Sequence, residues 1–240
     1  MNPIGPIKAL ALLSLALLAG CMAPTATPTA QRPAMNAVAP LSPRASQARQ
    51  FLSVVKTVEP VAEAECRARA PRANCDFRIV VDDRPDQPAN AFQTLDNAGR
   101  PIIAFTLPMI AAAQNADELA FVMGHETAHH IAGHLARQRE NAESGAVIFA
   151  GIAALTGGDA SSVRSASRLG AQVGARSYSK EFELEADALG TLITQRAGYD
   201  PVRGAAFFTR IPDPGNRFLG THPPNAQRID TVRRVAARGL

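Results

Sequence analysis

The stretch DELAFVMGHETAHHIAGHLA at 117–136 constrains this chain more than any other, because it carries four of the five histidines. Its apolar residues recur at helical spacing. Asn115 and Glu118 make a capping-box-like start, with Asp117 and Glu118 at the positive end of the helix dipole. On one continuous helix His125 and His129 lie about 40° apart on a shared face. Two imidazoles so placed reach a single tetrahedral Zn2+. Glu126 is one step round, about 100° away, where it reaches a water in the site without displacing it. This is the H-E-x-x-H arrangement of zinc peptidases, two ligands and a general base. His130 falls about 140° and His134 about 180° from His125. Neither joins the same site on that wheel, and surface or packing roles suffice for both.

Catalytic zinc needs a third protein ligand and an open fourth position. The candidates are the carboxylates of KEFELEAD: Glu181, Glu183, Glu185 and Asp187. Glu183 and Asp187 share a helical face, but so do Glu181 and Glu185. Helical geometry does not choose between these pairs, and a charged solvated face accounts for at least one of them.

Three motifs in order, H-E-T-A-H, then E-L-E-A-D, then THPPNAQRI near the end, resemble one family. It is the zinc endopeptidases related to HtpX and the CAAX prenyl protease, and the likeness is greatest to periplasmic lipoprotein members of the BepA and LoiP type. NAFQTL at 90–95 is similar to the family's N-A-F strand, and the likeness runs from about residue 50 to 235. The resemblance implies that Glu183 is the third ligand. It implies that Asp187 accepts from the His125 imidazole, fixing its tautomer. His222 matches the T-H-P histidine, which would either donate to the oxyanion of the reaction or swing in as a fourth ligand that shuts the site. Arg228 matches the arginine that follows T-H-P and would orient that loop or pair with a nearby carboxylate. The sequence also departs from the pattern. LDNAG stands where the family strand has a Gly-Gly turn, and the membrane helices and helical repeats of some relatives have no counterpart here.

The implied fold is α+β, of the zincin-like (gluzincin) class. It is mostly helical, with a small, mainly antiparallel sheet. DFRIVVDD (76–83) reads as a strand, and NAFQTL and RPIIAFTL flank DNAG as a hairpin. Either hairpin strand serves as the edge that takes up an extended substrate. SQARQFLSVVKTVEPVAEAECRARA has helical spacing with Pro60 as a break. GAVIFAGIAALTGG (145–158) is too short for a membrane span and reads as a buried core helix rather than an interfacial segment. EFELEADALGTLITQRAG is a strong helix stopped by Gly198. DPVRGAAFFTRI is a third helix, and NAQRIDTVRRVAARGL the last.

Ahead of this domain, Lys8 precedes ALALLSLALLAG and Cys21, the pattern of a signal peptide over 1–20. LAGC resembles the lipobox of bacterial lipoproteins, which implies lipidation of Cys21; a plain signal peptide is the alternative. Residues 21–45 are rich in Pro, Ala and Thr and read as a flexible tether. The peptidase domain then covers 46–240. In a Gram-negative cell the lipobox resemblance, with Met22 rather than Asp after Cys21, would imply an outer-membrane lipoprotein facing the periplasm. In an exported chain the remaining pair, Cys66 and Cys75, reads as a disulfide. The net charge of +4 comes without a dense basic run, and aromatics make up 5% of the chain, so nucleic-acid binding is not expected. The reading is a Zn2+ endopeptidase, one metal per chain, acting on unfolded or misassembled envelope proteins. Its rival is a latent or non-cleaving zinc lipoprotein that serves as a chaperone or assembly factor.

Overall fold

The computed structural model describes residues 42–217, 220 and 222–239. The expected signal peptide, Cys21 and nearly all of the tether lie outside the described residues. Helix α1 runs Pro43–Arg69, and the Ser42 side chain caps it by accepting from the Ala45 N–H. It passes straight through Pro60, where the sequence suggested a break. A proline inside a helix removes one rung and crowds a carbonyl, costing about 3 kcal/mol. Pro60 and Lys56 are both exposed, so water reaches the freed Lys56 carbonyl. On the far side Val54, Val58, Ala62 and Cys66 are fully buried. Each buried valine contributes about 1.5–3 kcal/mol, so the apolar stripe outweighs the proline.

Strands β1 (Arg78–Asp82), β2 (Ala91–Leu95) and β3 (Pro101–Thr106) form a sheet in the order β1-β3-β2. The hairpin is as expected, with Ala91 opposite Phe105 and Leu95 opposite Pro101. Asp96 holds its turn by accepting from the N–H groups of Ala98 and Arg100, both at 2.9 Å. β1 pairs parallel with β3, so the α+β fold carries a mixed sheet, with one parallel and one antiparallel pairing. β3 is apolar and almost wholly buried, which suits a strand with neighbours on both sides. It is therefore the centre of the sheet and not a substrate edge. β2 is an edge.

Helix α2 (Leu107–Ala112) is capped by Thr106, and α3 (Ala116–Ile131) by Asn115, whose side chain accepts from the Glu118 N–H at 3.0 Å. The single histidine helix of the sequence reading is in fact two. α3 stops at Ile131, Gly133 takes a left-handed φ of 67°, and α4 runs His134–Leu155. Only glycine enters that conformation freely. α5 (Ala160–Arg176) folds back along α4. α6 (Ser179–Arg196) crosses α3 and ends before Gly198. The expected third helix divides into α7 (Pro201–Gly204) and a 3-10 turn, Ala205–Thr209, and α8 (Asn225–Ala236) closes the domain. Cys66 and Cys75 are joined by a disulfide that ties the last turn of α1 to the segment before β1.

The expectation of a buried helix at 145–158 is overturned. In the outer half of α4, Val147 is 72% and Leu155 89% exposed. α4 and α5 pack chiefly on each other. Their seam is built from Gly145, Gly170 and Gly174, where an added Cβ would collide with backbone across the seam. The helices therefore meet backbone to backbone, and the large apolar side chains of α4 turn outward. Among the described residues, no helix is long and apolar enough to cross a membrane.

Candidate metal centre

The centre is set by the crossing of α3 and α6. Gly124 and Gly190 face each other there. A Cβ on Gly190 would lie 2.8 Å from the His125 nitrogen, and one on Gly124 would lie 2.8 Å from the Gly190 carbonyl oxygen. This close approach brings the inner face of α6 against His125. The structure turns Glu183 and Asp187 inward and leaves Glu181 and Glu185 exposed, a choice that helical periodicity left open.

One ligand atom each from His125, His129 and Glu183 lie within 4.8 Å of one another, close enough to bind a metal ion. His125 Nε2 is 3.0 Å from His129 Nε2, and Glu183 lies 3.5 Å from the first and 3.3 Å from the second. Two imidazoles and one carboxylate are the donors of a catalytic zinc site. The electrostatics agree. Burial alone would lower the His125 pKa, yet hydrogen bonds to Asp187 and Glu183 push it up to about 10. Burial would raise the Glu183 pKa, yet His125, His129 and His222 hold it well below the usual carboxylate range. Buried carboxylates thus call for positive charge between them, which a divalent cation satisfies.

Asp187 is fully buried and its Oδ1 is 3.0 Å from His125 Nδ1. Arg228 of α8 grips the same carboxylate with two hydrogen bonds, Nε at 2.8 Å and Nη2 at 2.7 Å, and its guanidinium lies 4.0 Å over the Phe208 ring. Burial works against the ionised Asp187, but Arg228 and His125 keep its pKa low. Arg228 Nη2 also lies 3.3 Å from Glu183. His222 is half exposed, with Nδ1 3.1 Å from Glu183 Oε2. Glu126 and His222 line a cleft of about 600 Å³ whose walls include Ala91, Phe92 and Gln93 of β2, Phe121, and Phe207, Phe208 and Ile211. All seven residues read from the motifs therefore converge. His130 does not, since its Nε2 pairs with the Asn74 carbonyl at 2.8 Å on the other side of α3.

His134 stays outside the ligand set, as the sequence reading held, but it lies closer to that set than one continuous helix would allow. Its exclusion assumed that one helix continued through 136. Because the chain bends at Gly133, His134 swings back until its Nδ1 is 2.8 Å from His129 Nδ1. The signal was the glycine itself, a common helix terminator, beyond which the helical wheel no longer applies.

An H-E-x-x-H helix crossed by a carboxylate-bearing helix, over an open cleft, defines the metallopeptidase class of site. A model of peptidase family M48 matches residues 48–236, and the chain belongs to that family. It is 30% identical over 146 residues to the beta-barrel assembly-enhancing protease of Escherichia coli (strain K12), covering 52% of this chain and 28% of that protein. It is 36% identical over 140 residues to a putative beta-barrel assembly-enhancing protease of Vibrio cholerae, with the same two coverages. The protein of that name from Yersinia pestis is 31% identical over 144 residues. The match thus spans little more than a quarter of the length of these relatives, 28% in each case.

Proposed function

We propose that the chain is a zinc-dependent metalloendopeptidase that hydrolyses peptide bonds of unfolded or misassembled cell-envelope proteins. The observation that carries this reading is the convergence of His125, His129 and Glu183 within 4.8 Å, with Glu126 beside them in an open cleft. When bound, zinc supplies Lewis-acid polarisation of the scissile carbonyl and lowers the pKa of a water towards neutrality. Glu126 takes the proton of the attacking water and returns it to the leaving amine. Asp187 fixes the His125 tautomer by accepting from Nδ1, and Arg228 fixes Asp187. His222 donates to the negative charge that develops on the carbonyl oxygen. An extended substrate pairs with β2, the strand edge at the cleft, and β-addition reads backbone rather than side chains. That mode suits unfolded clients. Relatives named for enhancing β-barrel assembly support envelope proteins as the clients, and lipidated Cys21 would hold the enzyme at the outer membrane, facing the periplasm.

The test is cleavage of unfolded casein by the purified, zinc-loaded chain, by Glu126→Gln, and by each after chelation. We expect loss of about 10²–10⁴-fold on substitution, with zinc content unchanged, and loss on chelation. Cleavage that survives both treatments would sink the reading. The latent form is favoured by one contact, the 3.1 Å approach of His222 to Glu183. In that form His222 caps the site, and His222→Ala raises cleavage instead of lowering it.

A further inference from the structure

The two histidines of the centre are supported in different ways. His125 has a carboxylate directly behind it, Asp187. Behind His129 stands another imidazole. His129 turns Nε2 towards the ligand set, 3.3 Å from Glu183 Oε1, and Nδ1 towards His134 Nδ1 at 2.8 Å. A ring that gives its Nε2 lone pair to a metal carries its proton on Nδ1. His129 must therefore donate and His134 Nδ1 accept. A neutral His134 then keeps its own proton on Nε2, which points at Glu185 Oε2 at 3.2 Å. Arg137 donates to the same oxygen at 2.8 Å. Every proton in the chain has one consistent place.

The His134 ring is also locked in position. It is 4% exposed and stacks on Phe182, with centroids 4.6 Å apart and planes 13° from parallel. We propose that His134, oriented by Glu185, is the positioning residue of the metal ligand His129, as Asp187 is of His125. It is not one of the three candidate metal ligands. It sets the tautomer and rotation of His129 and raises the basicity of its Nε2. This rests on the reading of His129 as a ligand.

The test is zinc affinity of the full chain, measured by competition with a chromophoric chelator, together with thermal unfolding of the metal-free protein. His134→Phe keeps a flat ring on Phe182 and deletes the acceptor. We expect its affinity to fall roughly 10–100-fold with unfolding of the metal-free protein unchanged. His134→Gln, whose amide oxygen can accept from His129, should recover part of the loss. Wild-type affinity in His134→Phe overturns the proposal. So does a loss in which His134→Gln is no better and the metal-free protein melts early, since His134 would then be a packing residue. A wild-type chain that takes up no zinc overturns the metallopeptidase reading, and this one with it.

Discussion

Two helix crossings in this molecule are both seamed by glycine, and they do opposite things. At α3 and α6 the close approach of Gly124 and Gly190 brings buried polar groups into register around His125. At α4 and α5 a similar seam joins two helices that pack on little else, and the apolar side chains Val147, Ile148, Ile152 and Leu155 point to solvent. Close backbone contact therefore does not make a core by itself. What differs is the far side of each helix. α3 lies against α1 and the sheet, so its outer face is also covered, whereas among the described residues little else packs on the α4–α5 hairpin.

This contrast can be sharpened most strongly at Arg228. Arg228→Met leaves Asp187 fully buried without its bidentate partner. Breaking a buried pair from one side costs about 3–5 kcal/mol, and we expect that loss in urea unfolding. Arg168→Met on the exposed hairpin should change stability by less than about 0.5 kcal/mol. Equal effects at the two sites would erase the distinction. Gly190→Ala comes next. Its Cβ would meet the His125 nitrogen at 2.8 Å, so α6 must shift, at about 1–3 kcal/mol. Zinc affinity should fall with it, because Glu183 and Asp187 ride on the same helix.

These residues also show how far the sequence could be read. His125, Glu126 and His129 follow from spacing alone, since a four-residue step on a helix fixes a shared face. Glu183 over Glu181 needed a resemblance, because which side of α6 faces inward depends on a crossing between Gly124 and Gly190, which lie 66 positions apart in sequence. The contact of His134 with His129 was hidden by one left-handed residue, Gly133. Pro60 was misread because local propensity was weighed without the buried stripe on the other side of α1. The segment at 145–158 was misread for the converse reason. Apolar composition says that burial would be favourable, but not that a neighbour exists to provide it.

Gly151 offers a smaller test with the opposite sign. It lies within α4, and a Cβ there would meet nothing within 4 Å. Gly151→Ala should therefore stabilise the helix by about 0.5–1 kcal/mol, where the same substitution at Gly190 destabilises. A loss at Gly151 would mean that something packs on this face in solution.

The smallest expected effect bears most directly on that face. Ile152 is 57% and Leu155 89% exposed, so each change to Ala should alter stability by no more than about 0.5 kcal/mol. Ile193 on α6 is fully buried, and Ile193→Ala should cost about 2–5 kcal/mol. The comparison of interest is Ile152→Ala measured at two protein concentrations well apart. An exposed side chain loses the same small amount at both. A larger loss that grows with concentration would mean that the wild-type hairpin is covered by a second copy, because self-association stabilises the folded state by mass action. The hairpin would then be an interface, and the difference between the two crossings would lie in which molecule supplies the second layer.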